Sequence, residues 1–152
     1  MNAQSKTPRI LILIAILALL APAVATAQQR SGVGLGIVIG EPSGISAISW
    51  LGGGNAVDFV AAWSFSGPGS IYVHADYQFH GWIEQPLSAF VGLGGVLILQ
   101  EQPLLGVRVP FGLTFLFQEV PMDVFVEVAP GVTLGTDTLP LYGGGIGFRF
   151  YF

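Results

Sequence analysis

From about residue 31 onward, apolar and polar residues alternate with period two, in runs separated by turn-forming residues. The cleanest run covers residues 71–80. Ile71, Val73, Ala75, Tyr77 and Phe79 fall on one face, and Tyr72, His74, Asp76, Gln78 and His80 on the other. Strict alternation of this kind marks strands, not helices. The same reading predicts eight strands, over residues 31–40, 45–51, 56–65, 71–80, 87–98, 104–117, 123–130 and 142–152. Gly, Pro, Ser and Asn punctuate the gaps at 41–44, 52–55 and 66–70 as turns. Residues 81–86, carrying Trp82, are read as a connection, and 131–138 as the longest loop. Pro110 lies on the inner face of the sixth strand, where it removes a ladder donor, so a bulge is expected there.

The chemistry of the two faces decides which one is inside. In the last strand Tyr142, Ile146, Phe148, Phe150 and Phe152 share a face, opposite Gly143, Gly145, Gly147, Arg149 and Tyr151. A soluble strand would turn the arginine to water and the aromatics to a core. An apolar, aromatic exterior around a small or charged interior is the pattern of a transmembrane barrel strand. A one-residue slip in 71–80 would put its polar row into lipid, where one charge near the midplane costs about 2–4 kcal/mol at worst. The fold class expected is therefore all-β, an eight-stranded antiparallel transmembrane barrel over residues 28–152. With both termini at the periplasmic end, Trp50, Tyr77, Phe79, Trp82, Phe117 and Phe150 should form an aromatic girdle there.

Composition sharpens this picture. Only 9% of residues are charged, against about 25% in an average soluble domain, so little polar surface is available for water. Residues 1–27 read as a cleaved signal peptide: Lys6 and Arg9, an apolar stretch over 10–20, Pro22, and a small-residue site at 25–27. That apolar stretch is shorter than the roughly 20 residues of a spanning helix. Beyond it, three arginines stand against nine acids, a net charge of −6, which argues against nucleic acid or anionic phospholipid as a partner. The absence of cysteine removes disulfides and thiol chemistry, and two histidines in all make a multi-histidine metal site improbable.

Candidate chemistry sits on the inner face, in the charge cluster Asp58, His74, Asp76, Arg108, Glu127 and Arg149. Eight strands enclose a space that side chains just fill, so these groups are expected to pair and plug the lumen. A narrow ion path along the same row is the alternative. His74 beside Asp76 suggests a hydrolase, but no serine is tied to them by any motif, and His80 reads as a solvated residue at a strand end. No helix follows the glycine clusters at 92–95 and 143–145, so they lack the means to hold phosphate. No catalytic, cofactor or metal residue is assigned. Most loops are brief, leaving 131–139 as the candidate contact surface.

The final strand also resembles the C-terminal assembly signal of bacterial outer-membrane barrels. Gly147, Phe150 and Phe152 match that signal, while Gly145 stands where a polar residue is usual. Further phrases are Gly34-Leu-Gly, Gly40-Glu-Pro-Ser-Gly-Ile-Ser, Ala75-Asp-Tyr, Val107-Arg-Val-Pro-Phe-Gly-Leu and Asp123-Val-Phe-Val-Glu-Val-Ala-Pro. With these the chain resembles small outer-membrane β-barrels of OmpA/OmpX type, and more narrowly a family of such barrels without an established activity. The resemblance implies location in the bacterial outer membrane, contact with its lipid, and delivery by the barrel-assembly machinery through the last strand. The function expected is non-enzymatic: a structural or interaction role in the envelope with a mostly closed interior. A small porin-like channel is the first alternative. A soluble periplasmic lipocalin-like binder, with its apolar faces turned inward, is the second.

Overall fold

The computed structural model describes residues 32–64, 70–135 and 137–152. The expected signal peptide, Arg30, and the end of the third expected strand at Phe65 lie outside the described residues. Among the described residues nine antiparallel strands form one sheet: β1 (Val33–Glu41), β2 (Ser43–Gly52), β3 (Asn55–Ser64), β4 (Ser70–Glu84), β5 (Leu87–Leu99), β6 (Leu104–Arg108), β7 (Phe111–Leu116), β8 (Met122–Leu134) and β9 (Pro140–Tyr151). Each strand pairs with the next around the ring, and β1 pairs with β9 from Gly34↔Tyr151 to Glu41↔Gly144, so the sheet closes into a barrel.

The ring has eight staves because β6 and β7 together make one. Both pair with β5 on one side and β8 on the other. The break falls at Val109 and Pro110, where the missing donor of Pro110 interrupts the ladder. The stave stays in line because Gly92 N donates to Pro110 O (2.7 Å) and Val109 N donates to Pro130 O (2.9 Å).

Several strands are longer than their alternation suggests. β4 runs on through Trp82, which pairs with Ser88, so residues 81–84 are strand rather than connection. β8 continues to Leu134 and β9 starts at Pro140, so residues 131–134 of the expected loop at 131–138 are strand. Pro130↔Tyr142, Gly131↔Leu141 and Val132↔Pro140 extend that hairpin. At the other short connection only Pro42 separates β1 from β2. Ser43 Oγ closes it, accepting from Gly40 N (3.0 Å) and donating to Gly40 O (2.8 Å).

Side chains divide by parity. Val33, Leu35, Ile37, Phe59, Trp63, Phe111, Val126 and Phe148 are exposed on the outer wall. Asp58, His74, Asp76, Gln78, Arg108 and Arg149 are buried inside. This is the reverse of a binder whose aliphatic faces line a ligand cavity. Aromatic pairs two residues apart cluster toward the end that carries Tyr151: Tyr77–Phe79 (5.0 Å), Phe115–Phe117 (5.1 Å) and Phe150–Phe152 (5.4 Å), all edge to face.

Trp50 departs from the girdle expected of it. It points inward and is buried with Ile48, Ala56 and Tyr151, and Leu116 packs against this cluster. Inward parity on β2 is shared by Gly44, Ser46 and Ile48, so the pleat carries Trp50 into the lumen.

Candidate functional site: the charged lumen

The lumen is ordered in layers. At the end that holds Tyr151 lies an aromatic layer. The His80 ring meets Trp50 edge-on (centroids 4.6 Å apart) and stacks on Phe90 (5.0 Å). His80 Nε2 lies 3.0 Å from Gln78 Oε1. His80 is therefore not a solvated residue at a strand end: β4 continues past it, and it is buried within the barrel mouth.

Above this layer stands Arg149, on β9. Its strand neighbour on β1 is Gly36, and Gly36 in turn faces Ser46 on β2. With no bulky side chain between them, the guanidinium reaches across the inner wall to β3. Arg149 Nη1 donates to Asp58 Oδ1 (2.8 Å) and Nε donates to Asp123 Oδ1 (3.2 Å). Tyr151 donates its hydroxyl hydrogen to the other oxygen of Asp123, and Ser46 Oγ reaches Asp58 Oδ1 at 3.4 Å. The guanidinium carbon also sits 4.1 Å above the centre of the Phe125 ring, a cation–π contact. Phe125 has room for this because a Cβ on neighbouring Gly147 would lie 2.4 Å from the ring.

A second arginine, Arg108 on β6, forms the next layer. Gly94 separates it from Asp76 in the register, and a Cβ on Gly94 would come within 1.8 Å of Asp76 Oδ1. Glycine is thus what lets the two charges meet: Arg108 Nε lies 3.3 Å from Asp76 Oδ1. Arg108 Nη2 donates to Glu127 Oε1. Asp76 Oδ2 is 3.1 Å from His74 Nδ1. Beyond this layer lies a cavity of about 20 Å³, lined in part by Asp58, His74, Arg108, Glu127 and Gly145 and reaching Pro42. That is room for about one water molecule.

All six residues of the expected charge cluster lie in these two layers. Asp123, Tyr151, Phe125 and Ser46 belong with them and were not part of that expectation. Asp123 shares parity with Phe125 and Glu127, so alternation alone placed it inside. Its position at the start of a strand, next to a turn, hid its role. Asp58, His74 and Asp76 also present donor atoms within 4.8 Å of one another, a mixed set that a count of histidines does not reveal.

No protein-family model matches the chain, and no curated protein matches it. Two solved structures share its fold. The N-terminal β-barrel domain of Pseudomonas aeruginosa OprF superposes with a TM-score of 0.68 at 15% identity, covering 82% of this chain and 100% of that one. Neisserial surface protein A superposes with a TM-score of 0.52 at 14% identity, covering 79% of this chain and 93% of that one. The chain thus has the fold of the small outer-membrane β-barrels.

Proposed function

We propose that this chain is a barrel of the bacterial outer membrane, held in lipid by its apolar wall and closed along its axis by the two arginine layers. Its role is non-enzymatic, as a structural or interaction element of the envelope. The observation that supports this best is the division by parity. Apolar side chains cover the outside, and the buried charges turn inward and meet partners on neighbouring and more distant staves. Such a wall suits hydrocarbon, because every backbone group within a closed ladder is paired. Lipid is then its first partner. Gly147 and Phe150 on β9, with Phe152 just after it, would serve as the signal by which the barrel-assembly machinery receives it.

Enzymatic chemistry finds little support in the lumen. His74 is committed to Asp76 on one side, and Ser46, the serine bonded within this cluster, is directed to Asp58. A nucleophile needs a base within about 2.6–3.2 Å, and His74 has no such hydroxyl partner among the described residues.

The test is to express the chain in a Gram-negative host and run outer-membrane fractions on SDS gels, boiled beside unboiled. The proposal expects the protein in that fraction, with a heat-dependent shift in migration. A soluble periplasmic protein without the shift would overturn it.

A further inference from the structure

The two layers are not balanced in charge. Four carboxylates, Asp58, Asp76, Asp123 and Glu127, share the lumen with two guanidiniums, Arg108 and Arg149. When all six are ionised, two negative charges are left without a counter-ion, in an interior where an unpaired charge is costly. The excess is not spread evenly. Arg149 is hydrogen-bonded to both Asp58 and Asp123, and Tyr151 bonds the latter as well. Around Arg108 the pairing is incomplete. Asp76 Oδ1 is buried without a hydrogen bond, its nearest cation being Arg108 Nε at 3.3 Å.

The unused valences converge on one place. Among the described residues, neither Asp58 Oδ2 nor His74 Nε2 takes part in a hydrogen bond. Both residues line the small cavity, with Glu127 beside them. With its proton on Nε2, the His74 ring would turn the Nδ1 lone pair toward Asp76 Oδ2, 3.1 Å away, so that one ion could meet both. Asp58, His74 and Asp76 offer donor atoms within 4.8 Å of one another. Two ligands of a first-row ion bound at about 2.0–2.2 Å stand about 3–3.6 Å apart, and His74 Nδ1 and Asp76 Oδ2 are 3.1 Å apart.

We propose that the lumen holds one divalent transition-metal cation on Asp58, His74 and Asp76. The ion would supply the two positive charges that the arginines leave missing, and it would bridge the neighbouring strands β3 and β4 on their inner face. One imidazole with carboxylates and no thiolate suits zinc or manganese better than a soft ion. The inference goes beyond the envelope role and rests only on the lumen geometry.

The experiment is calorimetric titration of Zn²⁺ into the chain folded in detergent micelles and stripped with a chelator. The gel shift certifies that each variant is folded. One ion per barrel is expected, with affinity weakened about tenfold or more in His74→Gln and unchanged in His80→Gln. Absence of saturable binding by the folded wild type would overturn the site. So would binding that survives His74→Gln, or binding lost in His80→Gln instead.

Discussion

Arg149 and Arg108 occupy neighbouring layers of one lumen, yet they are held in different ways. Arg149 has a hydrogen-bonded carboxylate on two sides, an aromatic ring on its face and a tyrosine fastening one of its partners. The aromatic layer of Trp50, His80 and Phe90 lies next along the lumen, toward the end that holds Tyr151. Arg108 is hydrogen-bonded to Glu127, meets Asp76 at 3.3 Å, and borders a cavity. A buried ion pair is stable only when its remaining hydrogen-bonding valences are filled as well. The Arg149 layer comes closer to that condition, as the proposed closure requires. The Arg108 layer falls further short, and the valences left over are where a ligand can enter. Charge placed in a barrel can therefore serve packing in one layer and recognition in the next.

The comparison can be broken most forcefully at Arg149. Arg149→Leu leaves Asp58 and Asp123 buried and unpaired, and should lower unfolding stability by about 3–5 kcal/mol in a urea titration of the refolded barrel. Arg108→Leu should cost less, about 3 kcal/mol, because its carboxylates lie beside a cavity that can take up water. Equal losses in the two variants would erase the distinction between the layers. Tyr151→Phe removes one hydrogen bond to a charged group and should cost about 1.5–3 kcal/mol in the same titration. Gly94→Ala sharpens the comparison from the other side. Its Cβ would displace Asp76 from Arg108, with a loss of about 1–3 kcal/mol from overpacking and little change at the Arg149 layer.

The fold was legible because a barrel wall has a period of two and strongly unequal faces. Residues 71–80 show this best: their polar row is inside, with His74, Asp76, Gln78 and His80 all buried. Strand ends were less legible. Trp82 and the segment 131–134 are paired residues that extend past the cleanest alternation, since cross-strand partners such as Ser88 and Leu105 are invisible to a local pattern. The lumen was legible in its membership and not in its pairing. Which carboxylate meets which arginine depends on shear and on glycines such as Gly36 and Gly94, which open paths across the wall. Trp50 shows a further limit, since aromatic character suits either a lipid interface or a plug. Its parity with Ser46 and Ile48 marked it as inward, and burial with Tyr151 shows that parity prevailed.

The central claim is that the arginine layers close the lumen. It is tested most directly by single-channel recording of the purified barrel in planar lipid bilayers, wild type beside Arg149→Leu. A closed lumen gives no resolved conductance steps for the wild type. Stable, reproducible steps from the wild-type barrel, with the same amplitude in Arg149→Leu, would contradict it and make the chain a small channel.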